Sequence, residues 1–123
     1  AIRYEATGEP AHHALCHCRD CQMASGAPMV AWLAVSSANF AVTKGEAAHY
    51  SGTGASVRHF CSTCGTPLFF VNEEMLPGIV DINSVTLDAP DAHAPSAHIQ
   101  IADRRAWMAD IGELPEFERY PEA

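Results

Sequence analysis

The sequence predicts a mostly β domain built from short antiparallel strands with few helical turns. Three observations carry that prediction. The apolar runs are short, turn-forming sequences separate most of them, and no stretch sustains a long helical period. At 123 residues and 48% hydrophobic content, the chain is expected to form one domain over residues 1–123 with a single real core.

The elements follow in order. IRYEA (2–6) reads as the first strand and TGEP as the turn that ends it. HALCH (13–17) is the second strand, and RDCQMASG after it reads as one turn or a short helix. SGAP then leads into MVAWLAV (29–35). FAVT (40–43) and AAHYS (47–51) flank TKGE, and SVRHF (56–60) follows SGTG. PLFFV (67–71) comes after STCGTP, and GIVDINS (78–84) after LPG. LDAPDAHAP is a Pro/Ala-rich surface loop, HIQIA (98–102) is the last strand, and RRAWM can form a second short helix. Apart from two Cys-x-x-Cys pairs there is no internal repeat, and no linker divides the chain.

The charge narrows the partners. Fifteen acids against seven Lys and Arg give a net charge of -8, whereas phosphate binding calls for a basic surface, so nucleic acid is not an expected partner. No run reaches transmembrane length, so no membrane partner is expected, and no basic-then-apolar leader is visible; a cytoplasmic location is the expectation. The chain starts at Ala1 and reads as strand almost at once, so the natural polypeptide is expected to begin upstream.

The chemistry lies in five cysteines, Cys16, Cys18, Cys21, Cys61 and Cys64. An odd number cannot all pair, and Cys16 and Cys18 are too close in sequence to bond each other well. Clustered cysteines without an export signal point to metal. In an extended CHC, Cys16 and Cys18 face one way and His17 the other. A tight turn at Arg19 and Asp20 then brings Cys21 back, so three sulfurs converge. Thiolates suit tetrahedral Zn²⁺; a structural zinc has four protein ligands, while a catalytic zinc has three and an open position, and this cluster fits the second pattern. FCSTCGTP is a knuckle, with Gly65 supplying permissive backbone after Cys64. Either Cys61 and Cys64 join Cys18 and Cys21 in a closed ribbon, leaving Cys16 idle, or the two clusters serve two ions and the knuckle needs two further ligands.

AIRYEATGEP, CHCRDCQMASGAP, FCSTCGTPLFF and HIQIADRRAWM together closely resemble the glutathione-dependent formaldehyde-activating enzyme family, which includes centromere protein V-like proteins. The resemblance spans essentially the whole chain. It implies a β-tent fold with two zinc ions. Cys16, Cys18 and Cys21 would match the open, catalytic zinc site, and Cys61 and Cys64 half of a structural one. The family's preceding Cys-x-Cys-Gly motif is not present, so the resemblance implies a Gly directly before Ala1 and cysteines two and four positions before it. The implied reaction is a carbon–sulfur lyase-type addition of a small thiol, glutathione, to formaldehyde or a related small aldehyde, giving S-hydroxymethylglutathione.

Glutathione is an anion, so local cations are needed on an acidic protein. Arg19, Arg58, Arg104 and Arg105 are the candidates, and Arg19, next to Cys18, is the best placed for substrate binding. His17 is expected to pack or support the ligands rather than bind metal. His59 could line a pocket, and His98 could hold a turn or orient a ligand. Trp32, Phe69 and Phe70 read as core, and Asp20 and Gln22 as hydrogen-bonding neighbours of the cysteines. The rival reading is a non-catalytic zinc-stabilised scaffold. A fourth protein ligand on the first zinc would favour it; an exchangeable position would favour an enzyme.

Overall fold

The computed structural model describes residues 1–121. Nine strands account for most of the regular structure: β1 (Arg3–Ala6), β2 (His12–Cys16), β3 (Val30–Ser36), β4 (Phe40–Lys44), β5 (Ala48–Ser51), β6 (Ser56–Phe60), β7 (Pro67–Asn72), β8 (Ile79–Asn83) and β9 (Ala97–Ile99). The α-helix α1 (Arg19–Ser25) joins β2 to β3. The mostly β expectation holds, and each expected strand is present within two or three residues of its expected ends.

Seven strands form one sheet in the order β5-β6-β7-β8-β3-β2-β9, and β1 pairs with β4 in a separate two-stranded sheet. All pairings are antiparallel except one: β9 runs parallel to β2, setting Leu15 beside His98 and Cys16 beside Ile99. That departs from the all-antiparallel expectation. The chain between β8 and β9 contains the Pro-rich loop, long enough to carry β9 back to the same end as β2. β9 is also shorter than HIQIA suggests. Gln100 adopts a left-handed conformation (φ 57°), which breaks the strand and starts a 3₁₀ turn at Ile101–Asp103. RRAWM becomes the start of a 3₁₀ segment, Ala106–Glu113, anchored by buried Met108.

The central strands are buried on both faces, which is why MVAWLAV reads as a continuous apolar run rather than an alternating one. Directly opposed residues share a face. On one face lie Leu33, Val35, Val80, Ile82 and Phe69, with Ile82 fully buried. The small sheet covers this side through Ile2, Tyr4, Ala6 and Phe40, and the Phe40 and Phe69 rings meet at 4.7 Å. The Tyr4 hydroxyl, carried into this layer, is satisfied by Thr86 Oγ1 at 2.6 Å. On the other face lie Cys16, Trp32, Ala34, Asp81, Phe70 and Arg58, with Val30 and Cys21 of α1 packed among them. The chemistry-bearing side chains gather here. Among the described residues no helix is long and apolar enough to cross a membrane.

Candidate functional site

The site is built around the short loop between β2 and α1. Cys16 ends β2 facing the Trp32 side of the sheet. Cys18 is the N-cap of α1, and its sulfur accepts the Cys21 N–H at 3.3 Å, a role usually taken by an oxygen. Cys21, one turn into the helix, points back at both. Its Sγ lies 3.6 Å from Cys16 Sγ, and all three sulfurs lie within 4.8 Å of one another. The helix ends at Gly26, whose φ of 69° closes the C-cap on Gln22 O.

The loop is held from outside the cluster. Gln22 Nε2 donates to His17 O at 2.7 Å and to Asp103 O at 3.0 Å. The Asp103 carboxylate accepts the Arg19 backbone N–H at 3.0 Å. His17, fully buried, faces away from the sulfurs and pairs through Nε2 with His98 Nδ1 at 2.9 Å. The terminal block thus clamps the cysteine loop, and His98 and Asp103 are part of the clamp; Trp107 is largely exposed.

The donor set suits zinc. At a Zn–S distance of about 2.3 Å, tetrahedral geometry puts neighbouring sulfurs about 3.8 Å apart, close to the Cys16–Cys21 separation. The electrostatics agree. Cys21 is drawn down to about 5, chiefly by its contact with the Cys16 sulfur, with help from Cys18, the Trp32 Nε1–H at 3.5 Å and the Arg58 charge, against the opposing effect of burial. Cys16 is pushed well above the ordinary thiol range, first by the same contact with Cys21 and then by burial. Cys18 is raised, first by burial and then by its contact with Cys21. Among the described residues no fourth His, Cys, Asp or Glu joins the group.

Cys61 and Cys64 lie apart from this cluster. Cys61 is buried against the Leu33–Ile82 core, and Cys64 is exposed. The knuckle has the expected form: Gly65 N–H donates to Cys61 O at 2.6 Å with φ 79° at the glycine. The Thr66 hydroxyl, 3.1 Å from Cys64 Sγ, is the main cause of its lowering to about 7. All five cysteines are free.

A cavity of about 390 Å³ opens over the three sulfurs, walled also by Arg58, Asn72 and Asp81. A second, largely apolar cavity of about 360 Å³ meets it at Cys21, Trp32 and Arg58, and extends past Phe60 and Phe69. His59 lines this second cavity, stacked on Phe69 at 4.2 Å. A third cavity, of about 380 Å³ beneath β1 on the opposite face, has no cysteine in its wall.

Arg19 reaches the rim of the first cavity, but it is exposed and its Nη1 donates to Gln22 Oε1 at 3.2 Å. Arg58 lies deeper, its guanidinium 4.8 Å from the centre of the Phe70 ring. The one ion pair among the described residues joins Arg3 to Asp88, so no described carboxylate lies within ion-pair distance of Arg58. Arg105 donates to Asp103 O at 3.0 Å and braces the terminal block.

Sequence reasoning missed Asp81. It is only 6% exposed, it lines the cavity, and no donor reaches its Oδ1. Burial pushes its carboxyl up to about 6, with Cys21 adding to the shift and His12 opposing it. The signal was a lone acid in the middle of the apolar run GIVDINS.

The profile of the glutathione-dependent formaldehyde-activating enzyme family matches residues 1–103. No curated protein matches the chain. Among solved structures, the chain is similar to a Rhodobacter sphaeroides protein seen by crystallography. The two are 19% identical, the match covers 80% of this chain and 92% of that one, and the TM-score is 0.63, a likeness of fold.

Proposed function

This chain belongs to the glutathione-dependent formaldehyde-activating enzyme family, and on that premise we propose that it is a zinc-dependent carbon–sulfur lyase-type enzyme that adds a small thiol such as glutathione to formaldehyde or a related small aldehyde. Cys16, Cys18 and Cys21 would hold the zinc. The observation that carries the reading is the convergence of these three sulfurs beneath a cavity, with no fourth ligand among the described residues. When bound, the ion supplies Lewis acidity, favouring a thiolate at neutral pH or polarising an aldehyde oxygen.

The surrounding residues set the conditions. Trp32 N–H points at Cys21 Sγ and stabilises its negative charge. Phe70 and Trp32, with rings 5.9 Å apart, form an apolar wall that limits water beside the sulfurs. Arg58, with no carboxylate partner among the described residues, is placed to take a substrate carboxylate within the cavity, and Arg19 at the rim can assist it. Gln22 and Asp103 keep the loop in register. Cys61 and Cys64 would form half of a second, structural zinc site that needs two further ligands.

The test is zinc stoichiometry together with thiol addition, for the wild type and Cys18→Ser. The expected result is loss of one zinc per chain and of all acceleration over the spontaneous reaction. A variant that keeps full activity without that zinc would overturn the reading.

A further inference from the structure

Asp81 is the part of the cavity wall that the zinc reading leaves unexplained. It sits in the middle of β8, opposite Ala34 on β3 and Phe70 on β7, and neither side chain can donate a hydrogen bond. Its Oδ1 is shielded and unpartnered. A buried carboxylate among apolar neighbours destabilises a fold, so its presence calls for a role outside packing. It is not a fourth ligand in this arrangement, because the ligand group consists of the three cysteines. The charged groups that act on it are His12 from β2 and Cys21 from α1, and Cys16, Cys18, Arg19, Asp20, Arg58 and Asp103 share its cavity wall.

Adding a thiol to an aldehyde requires moving one proton. We propose that Asp81 is the proton-transfer group of this reaction, taking the S–H proton from the incoming thiol and returning it to the oxygen of the former carbonyl. One C–S bond forms, the C=O bond becomes a C–O single bond, and the proton lost by sulfur ends on that oxygen. Nothing is oxidised or reduced, and Asp81 finishes in its starting state. The other acids on the cavity wall fit less well. Asp20 is exposed, and an Asp103 carboxylate oxygen is occupied by the Arg19 N–H. The elevated Asp81 carboxyl, near 6, lies where a group can both accept and donate close to neutral pH.

This inference rests on the thiol–aldehyde reading, and the experiment separates the two. Glutathione and formaldehyde are followed by exchange NMR, and the spontaneous rate is subtracted. Asp81→Asn is expected to lower the catalysed rate about 100-fold, with zinc content as in the wild type and glutathione affinity unchanged within about twofold. Asp81→Ala leaves a carboxylate-sized gap, and added formate is expected to restore rate in proportion to its concentration. An Asp81→Asn enzyme with wild-type catalysis, or an Asp81→Ala enzyme that formate does not help, overturns the role of Asp81 while the zinc reading stands. A wild-type protein that adds nothing to the spontaneous rate overturns both.

Discussion

Replacing Asp81 with Asn should change stability in a pH-dependent way, increasingly in favour of the variant as pH rises. The carboxyl has an ordinary value of 3.8 and lies at about 6 in the folded chain, raised chiefly by burial. A folded value above the unfolded one means that the folded state holds the proton more tightly. The cost of the wild-type carboxylate is therefore absent below pH 3.8, grows as pH rises, and levels off above 6. A shift of about two units corresponds to roughly 3 kcal/mol at full effect. Roughly 1.4 kcal/mol of that should develop between pH 5 and pH 8. The Asn amide will itself lack full hydrogen bonding, a penalty of about 1–3 kcal/mol, but that penalty does not change with pH. The slope is thus the clean quantity. Urea midpoints of both proteins at pH 5, 6, 7 and 8 measure it. The curves should diverge with rising pH in favour of Asp81→Asn. A difference that stays flat across this range would show that Asp81 is not held as a costly buried carboxylate, and the reasoning from its burial would fail.

Two further outcomes test the walls of the site. Arg58→Gln removes a cation that has no carboxylate partner among the described residues, and the KM for glutathione should rise by about tenfold, the scale of one lost charge-assisted hydrogen bond. The same variant should act on an uncharged thiol such as 2-mercaptoethanol much as the wild type does, and equal effects on both thiols would remove Arg58 as an anion anchor. Gln22→Ala cuts both ties between α1 and the carbonyls of His17 and Asp103. It should lower stability by about 1–3 kcal/mol in urea titration and weaken zinc retention against a chelator; unchanged zinc retention would show that the clamp does not position the sulfurs.

Much of this architecture was legible in the sequence because it is local. Short apolar runs bounded by Gly and Pro turns mark the strands, and CHCRDC compresses three sulfurs into one bend whatever the rest of the chain does. Gly65 marks the knuckle turn by needing a positive φ. What was not legible depends on pairing between distant segments. The parallel seating of β9 beside β2 brings His98 to His17 and Asp103 to Arg19, across more than eighty residues of chain. Turn signals carry no information about that contact. Gln100 shows no propensity for a left-handed backbone strong enough to reveal where β9 breaks.

Asp81 shows why such a limit falls on function more than on fold. Its presence in an apolar run is visible, but its direction is set by register: Asp81 opposite Ala34 and Phe70 places it with Cys16 and Trp32, and a slip of one residue would place it with Leu33 and Phe69. The hydrophobic pattern favours the observed register, since Val80 and Ile82 on the covered face outweigh one acid on the other. The core therefore selects the register, and the register delivers the carboxylate to the cavity wall. Packing on one face of the sheet determines which chemistry the other face can perform.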